Sequence, residues 1–389
     1  MNFSILKVFC VLCSLGILGA CTESAKKKNP LKTLSEESEN FELPSPQNVI
    51  LFPSAHYTQK SYKQEWWYLT ANLVTDDGIR LASQWTLFRR AVDDKHWYFA
   101  HAALADNNAH LSDYRNGREE TGSVKVQTTP FRAQLDDWIW IANSSIESNV
   151  TYDTIDRAKD KAINRTTNGA QQELLPARLE YGNKPKSRVS QEKHKDDWAV
   201  CLQLHTSEPY FLQGENGFSL KHPVENIASH YYSQPFIDVS GKVFWQGRWR
   251  RVSGQAWFDR EWGSKMLAED QQGWDWFSLR LNHNKALMVY QIRSDKQTHI
   301  YASIMERGGL IKTYDTSAVK VRDLSGKHLS TAGYPTRFHI QIEEAAVDIV
   351  VDVVNEGQLM RYGIEYFEGM VVFEGSHQGQ GFLEMTGYR

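Results

Sequence analysis

The chain has 389 residues, and its 44 lysines and arginines against 47 aspartates and glutamates give a formal net charge of −3. So mild a charge provides no basic surface for nucleic acid, which excludes nucleic acid as a partner. At about 100 to 200 residues per domain, the length predicts two domains.

The N-terminus has the pattern of a bacterial lipoprotein signal peptide. Lys7 precedes an apolar run that ends in a lipobox, Leu18-Gly19-Ala20-Cys21. Because the run is shorter than the roughly 20 apolar residues that span a bilayer, we expect a lipid anchor on Cys21 rather than a transmembrane helix. Thr22 follows the cysteine where an aspartate would favour retention at the inner membrane. We therefore expect an outer-membrane lipoprotein that faces the periplasm.

The sequence divides into four predicted segments. Residues 1–20 form the signal peptide, and residues 21–48, rich in Lys, Ser, Glu, Asn and Pro, form a flexible tether. Residues 49–235 and 236–389 form the N-terminal and C-terminal domains. In the mature chain only Cys201 remains beside the lipidated cysteine, so no intramolecular disulfide is possible.

Extended segments dominate the chain after the tether. They are rich in aromatic and β-branched residues and are separated by turns such as Asp76-Asp77-Gly78, which predicts an all-β protein with antiparallel sheets. The predicted strands cover residues 64–74, 80–90, 96–105, 138–141, 174–181, 198–205, 252–258, 274–281, 286–293, 299–306, 336–342, 346–353, 362–373 and 381–388.

Tryptophans occur beside carboxylates at three places in these strands. The clusters are Glu65-Trp66-Trp67-Tyr68, Trp257-Phe258-Asp259-Arg260-Glu261-Trp262 and Trp274-Asp275-Trp276. Residues two apart in a strand share a face, so Glu65 lies beside Trp67, Asp259 and Glu261 beside Trp257, and Trp274 beside Trp276. This pattern predicts an aromatic-lined cavity that holds an acid.

A weak internal echo links the two halves of the chain. An aromatic opening, a strand, a polar turn and a strand ending in arginine occur in residues 67–89 and again in residues 276–293. The echo predicts two similar β-barrels. Closing a sheet into a barrel removes its open edges and creates an interior that can hold a small apolar ligand.

Taken together, these motifs resemble the AttH family, which includes the carotenoid 1,2-hydratases (hydroxyneurosporene synthases). The resemblance runs from about Gln64 to the C-terminus and rests on the first and second aromatic clusters and on further segments, Ala100-His101-Ala102-Ala103-Leu104, His230-Tyr231-Tyr232-Ser233-Gln234-Pro235, 254–263, 273–281 and 379–388. It implies tandem lipocalin-like (calycin) β-barrels with an apolar ligand pocket in or between them.

The resemblance also implies a set of catalytic positions. A histidine with an aromatic residue two positions on, and an aromatic residue with an aspartate two positions on, are associated with activity in the hydratases. These positions fall on His230, Tyr232, Trp257 and Asp259. The two aromatic types are exchanged relative to the hydratases, so Trp257 has no phenol with which to relay a proton.

Addition of water to an alkene needs a strong proton donor and a positioned water. A buried carboxylic acid is suitable because burial raises its pKa, and Asp259 is the candidate. Aromatic faces stabilise the resulting cation, and His230 is a candidate for orienting the water.

Each candidate has a structural alternative. Asp259 and Glu261 lie near several arginines in the sequence, so either can serve in an ion pair. Glu65 can cross-link a barrel end with Trp67 in the core, His101 can be a core histidine, and Trp274 and Trp276 can be core packing.

No metal-binding, nucleotide-binding or nucleophilic-serine motif occurs in the sequence, so we expect no cofactor and no metal. Two functions remain open at this stage. In the first, the protein is a carrier of an extended apolar molecule, such as a lipid, isoprenoid or polyketide, and the resemblance to the AttH family implies an ABC-type exporter as its partner. In the second, it is a cofactor-free hydratase, isomerase or cyclase that uses Asp259. The predicted lipid anchor favours the carrier, whereas an acid set among aromatic residues favours the enzyme.

Overall fold

The computed structural model describes residues 30–36, 40–128, 130–142, 174–183 and 196–388. The predicted signal peptide and the predicted lipidation site, Cys21, lie outside these residues. The described helices are four short 3-10 turns, Pro30–Leu34, Ser54–His56, Glu119–Thr121 and Glu343–Ala345, and none of them has the length or hydrophobicity to cross a bilayer.

The strands are numbered in chain order and form two sheets. The first sheet contains β1 Gln64–Thr75, β2 Arg80–Val92, β3 Lys95–Ala105, β4 His110–Arg118, β5 Val124–Thr128, β6 Phe131–Leu135, β7 Trp138–Ala142, β8 Ala177–Asn183, β9 Trp198–His205, β10 Phe211–Leu212, β11 Phe218–Leu220, β12 Ala228–Trp245 and β13 Arg248–Gly263. The second contains β14 Gln271–Arg280, β15 Lys285–Ser294, β16 His299–Glu306, β17 Leu310–Asp315, β18 Val319–Asp323, β19 Arg337–Ile342, β20 Val347–Val353, β21 Leu359–Tyr362, β22 Ile364–Gly375 and β23 Gly379–Thr386.

Each sheet curls into a nearly closed antiparallel barrel. The first runs in the order β4-β3-β2-β1-β13-β12-β9-β8-β7-β6-β5, with β10 and β11 paired to β12. The second runs β17-β16-β15-β14-β23-β22-β20-β19-β18, with β21 paired to β22. The predicted all-β tandem of lipocalin-like barrels is confirmed.

Both barrel interiors are filled by side chains. Large aromatic residues such as Trp67, Trp85 and Trp140 pack inside the first barrel, and the second encloses aliphatic and aromatic residues around Phe277. A third apolar cluster, which includes Tyr68, Trp257 and others, lies between the two barrels. The outer faces that the barrels turn toward each other are therefore where a ligand space can form.

The boundary between the domains differs from the expected one at residues 235/236. Strand β12 passes without interruption through this point, with an irregular register between Gln234 and Ile237. Both β12 and β13 belong to the first sheet, because β13 pairs with β1 along its length. Pro235 is accommodated at that irregularity, so it does not mark a linker. The first barrel ends at Gly263, and residues 264–270 connect it to the second.

Part of the predicted tether packs against the fold. Leu31 is buried in the cluster between the barrels. The backbone of Leu34 accepts a hydrogen bond from the Met266 amide at 3.0 Å, and the Thr33 carbonyl accepts one from Arg90 at 2.9 Å. Residues 30–36 are thus anchored at both barrels' junction.

Candidate functional site

A cavity of about 680 Å³ lies between the barrels. One wall is the outer face of β1 to β4 with parts of β12 and β13, and the opposite wall is the outer face of the second barrel. Thr33 and Leu34 close one side. This volume falls in the range of small-molecule sites. The sequence left open whether the pocket lies within one barrel or between the two, and it lies between them.

The cavity wall of the first barrel follows from strand alternation. In β13, Phe258, Arg260 and Trp262 face the barrel interior or its end, whereas Trp257, Asp259 and Glu261 face the second barrel. Register places Tyr68 of β1 and Ser233 of β12 on either side of Asp259. The predicted sharing of one face by Trp257, Asp259 and Glu261 is what puts two acids at the cavity.

Asp259 is held by three hydrogen bonds and is 3% exposed. Its Oδ1 accepts hydrogen bonds from the Ser233 hydroxyl at 2.5 Å and from Trp257 Nε1 at 2.9 Å, and its Oδ2 contacts the Tyr231 hydroxyl at 2.9 Å. Burial raises the pKa of Asp259 from 3.8 to about 7, although its three partners oppose this rise. The carboxyl group can therefore hold a proton near neutral pH.

Glu261, the second predicted acid of β13, is paired with a cation. Lys221 Nζ lies 2.7 Å from its Oε1, and the Ser229 hydroxyl donates a hydrogen bond to the same atom at 2.5 Å. The ammonium group also lies over the rings of Tyr290 at 4.6 Å and Tyr231 at 5.0 Å. The two neighbouring acids thus differ in character, because only Glu261 has a lysine beside it.

The wall of the second barrel carries the predicted tryptophans. Trp274 Nε1 donates a hydrogen bond to Glu384 at 3.0 Å, and Trp276 Nε1 donates one to the Tyr231 hydroxyl at 3.2 Å. Trp276 also packs edge-on against Tyr68 with the ring centroids 5.2 Å apart. Both tryptophans line the cavity, as do the neighbouring Tyr290 and Ile292.

His101 lines the cavity from β3. Its Nδ1 lies 2.9 Å from the Tyr366 hydroxyl of the second barrel, and burial lowers the pKa of His101 to about 4. The ring is therefore neutral at physiological pH and connects the two barrels.

Glu65 lies at the edge of the cavity but faces inward to two arginines. Its carboxylate forms buried ion pairs with Arg89 and Arg260, and Oε2 also accepts a hydrogen bond from the Gln59 amide at 2.9 Å. The Arg260 guanidinium lies 3.9 Å from the ring centroid of Trp67. Glu65 and Trp67 share a face as expected, and that face is the packed first barrel.

His230 and Tyr232 of β12 lie on the opposite face of the sheet from Asp259 of β13. The Tyr232 hydroxyl contacts His56 Nδ1 at 2.7 Å inside the first barrel, and His230 packs against the rings of Tyr62 and Trp262. Burial lowers the pKa of His230 to about 4. Neither residue lines the cavity, so the structure does not bring this histidine and tyrosine together with Asp259.

One group of side chains in the described part of the chain has the donor atoms of a metal site. The group consists of His222, Glu225 and Asp270, whose possible ligand atoms lie within 4.8 Å of one another. However, His222 Nδ1 accepts hydrogen bonds from the Val224 and Glu225 amides, so in the neutral ring the proton is on Nε2, toward Asp270. Lys296 also lies 3.8 Å from Asp270. This arrangement is that of a hydrogen-bonded surface cluster.

Sequence reasoning missed three groups that line the cavity, Tyr231, Lys221 and Glu384, and also Ser233, which contacts Asp259. Tyr231 and Ser233 alternate with the predicted His230 and Tyr232, and the pairing of β12 with β13 is the signal that would have selected them. Glu384 is in a predicted strand but in an ordinary outward position. Lys221 lies just after β11, where the sequence has no recognisable motif.

Comparison with known proteins gives both a family and a fold. The AttH-like family model matches residues 43–175 and 155–388. A similar solved structure, assigned to AttH from Nitrosomonas europaea, has 27% identity and a TM-score of 0.71 and covers 90% of this chain and 100% of that chain. Kievitone hydratase from Nectria haematococca has 12% identity and a TM-score of 0.61, with coverages of 90% and 98%, and shows a shared fold. No curated protein matches the chain.

Proposed function

We propose a function for this chain from the premise that it belongs to the AttH-like family, as its motifs predicted. The function is that of a cofactor-free acid–base enzyme that acts on a carbon–carbon double bond of an extended apolar substrate. Asp259 is the proton donor, and the reaction is a hydration or an isomerisation.

The observation that carries this proposal is the environment of Asp259. The carboxyl group is buried at an aromatic cavity, and no lysine or arginine among the described residues forms an ion pair with it. A carrier of apolar molecules gains no affinity from such a group, because burying an acid without a cation is costly. A general acid gains from it, because a pKa near the working pH is optimal for proton transfer.

The chemistry proceeds by proton transfer from Asp259 to one alkene carbon. The O–H bond of the carboxyl group breaks, the π electrons form a new C–H bond, and a carbocation remains on the adjacent carbon. The rings of Trp276 and Tyr68 face the same cavity, and an aromatic face stabilises a desolvated cation by about 2 kcal/mol. The cation then gains a water or loses a proton from a neighbouring carbon.

The similarity of the fold to that of a known hydratase supports this proposal. Kievitone hydratase has the same fold at 12% identity, so this arrangement of two barrels accommodates a hydratase. At that identity no residue role transfers, and the assignment of Asp259 depends on its environment in this chain.

The carrier remains a second candidate, supported by the position of the N-terminal segment. Thr33 and Leu34 form part of the cavity wall, and they follow the predicted lipidation site Cys21 by little more than ten residues. A lipid-anchored protein at the periplasmic face of the outer membrane would thus hold its cavity near the bilayer, where an exported lipid is available, for example from an ABC-type exporter.

One experiment separates the two candidates. The mature protein is incubated with an apolar extract of its own cells in D₂O and, separately, in H₂¹⁸O, and the products are compared by mass spectrometry. We expect wild-type protein to introduce deuterium, with ¹⁸O as well if the reaction is hydration. Asp259→Asn should lower the rate at least 10²-fold, while Asp93→Asn, an exposed control, should match wild type.

A different result would support the carrier. If native mass spectrometry finds the same unaltered molecule bound to wild type and to Asp259→Asn, and neither protein introduces an isotope, the enzymatic proposal is wrong.

A further inference from the structure

The second barrel contributes two more acids close to the cavity, of which Glu368 is buried and Glu384 is half-buried. Glu368 of β22 and Glu384 of β23 are directly opposite each other in the antiparallel register. Glu368 is 2% exposed, and Glu384 lines the cavity. Directly opposed side chains in neighbouring strands have their Cβ atoms about 5 Å apart, so the two carboxyl groups are close neighbours.

The groups that face this pair are polar or acidic, and none of them is a cation. Gln84 Nε2 donates a hydrogen bond to Glu368 Oε2 at 2.7 Å from the first barrel, and Trp274 Nε1 donates one to Glu384. The other titratable groups that interact with the pair from the packed strands are Tyr68, Tyr181, Tyr366, Asp259 and Glu261. Among the described residues, no salt bridge involves either Glu368 or Glu384.

Two carboxylates in such surroundings cannot both ionise near neutral pH. Burial, together with the charge of the partner carboxylate, raises the pKa of Glu368 well above its usual range. Burial also raises the pKa of Glu384 to about 7, with smaller contributions from Glu261 and Asp259. A pair of this kind titrates in two steps and holds one proton between them.

We propose that Glu368 and Glu384 share a single proton and that Glu384 is the second catalytic residue of the cavity, the group that accepts a proton after Asp259 has donated one. This inference rests on the proposed function for its catalytic part. With the shared proton on Glu368, the Glu384 carboxylate is ionised and faces the substrate space.

The assignment gives a balanced reaction. Asp259 loses its proton to the substrate and becomes a carboxylate. Glu384 takes a proton either from the attacking water as the C–O bond forms or from a carbon beside the cation as a new double bond forms. No proton is gained or lost overall, so turnover needs only the return of one proton from Glu384 to Asp259, and no co-reactant other than water.

Isotope-edited infrared spectroscopy tests the shared proton without any substrate. Protein labelled with ¹³C at its glutamate carboxyl groups separates the glutamate signals from that of Asp259. We expect a protonated glutamate band at pH 7. In Glu384→Gln, which removes the like charge but keeps the hydrogen-bonding shape, the midpoint of Glu368 should fall by at least one pH unit, because the Glu384 carboxylate raises the pKa of Glu368. The reciprocal variant Glu368→Gln should keep a single midpoint near 7 for Glu384, because glutamine resembles the protonated form of Glu368. This retained titration is the control against misfolding.

The absence of a protonated glutamate band at pH 7, or a Glu368 midpoint that Glu384→Gln does not move, would overturn the shared proton whether or not the protein is an enzyme. The catalytic part is tested with the isotope-incorporation assay described above. Glu384→Gln should lower the rate at least tenfold and remove the decline of the rate at low pH. An unchanged rate and pH profile in Glu384→Gln would overturn its catalytic role. If wild-type protein itself incorporates no isotope, the proposed function is refuted, but the infrared evidence for the shared proton is unaffected.

Discussion

Replacement of Asp259 by asparagine should make the protein more stable at high pH, because the wild-type acid is costly to ionise in place. The pKa of Asp259 rises from 3.8 to about 7 on folding, and each pH unit of difference corresponds to about 1.36 kcal/mol. Ionisation inside the fold therefore costs about 4 kcal/mol more than in the unfolded chain. Asparagine keeps an acceptor for Ser233 and Trp257 and gains a donor toward Tyr231, and it does not titrate.

The sign of the effect follows from the direction of the shift. Because the folded-state pKa is the higher one, the stability contributed by the protonated acid is full below pH 3.8 and is lost as the pH rises through about 7. About 3 kcal/mol of the loss falls between pH 5 and pH 8.

The assay is urea unfolding followed by tryptophan fluorescence at pH 5 and pH 8. The unfolding free energy of Asp259→Asn minus that of wild type should increase by about 3 kcal/mol between these pH values, whereas the exposed control Asp93→Asn should show no such increase. A difference that stays constant with pH would mean that Asp259 is already ionised in the fold, and the reasoning for a general acid would fail with it.

Three further predictions concern the neighbours of this acid. Glu65→Gln leaves Arg89 and Arg260 buried without a counter-charge and should cost about 3 to 5 kcal/mol of unfolding free energy in urea; a loss below about 1 kcal/mol would contradict a structural role. Tyr231→Phe removes a hydrogen bond that lowers the pKa of Asp259, so the midpoint of the Asp259 carboxyl band in infrared titration should rise, and a fall would be inconsistent with the geometry. A long-chain tertiary ammonium compound resembles the carbocation and should bind at least tenfold more tightly at pH 8 than at pH 6 by calorimetry, because Asp259 is ionised at the higher pH. Asp259→Asn should reduce this dependence to the part that Glu384 contributes, and an unchanged dependence would contradict the prediction.

From the sequence, the residues that β13 contributes to the cavity wall could be predicted, but those that β12 contributes could not. Alternation along residues 257–261 correctly placed Trp257, Asp259 and Glu261 on one face, because strand geometry alone decides this. The same rule applied to β12 separates His230 and Tyr232 from Tyr231 and Ser233, but which of these faces meets Asp259 depends on the register between β12 and β13. That register is a long-range property that no local pattern contains.

The second barrel's acids were out of reach for a related reason. Glu384 occupies an outward position of a strand, where a carboxylate is ordinarily solvated. It is half-buried because the first barrel packs over this face, and the contact between the barrels has no signature within either strand. For the same reason the sequence left open whether a ligand space lies inside a barrel, where tryptophans in fact fill the volume, or between the two.

The alternation of β13 between barrel interior and cavity also constrains how this protein can diverge. Arg260 belongs to the buried ion pairs of the barrel, and its two sequence neighbours face the cavity. Insertion or deletion of one residue here would exchange acids and core residues along the rest of the strand, so folding and chemistry would be lost together. New specificities should instead arise by point replacement on the wall opposite, at positions such as Tyr290 and Ile292, where the ligand space can be reshaped while the proton donor is inherited unchanged.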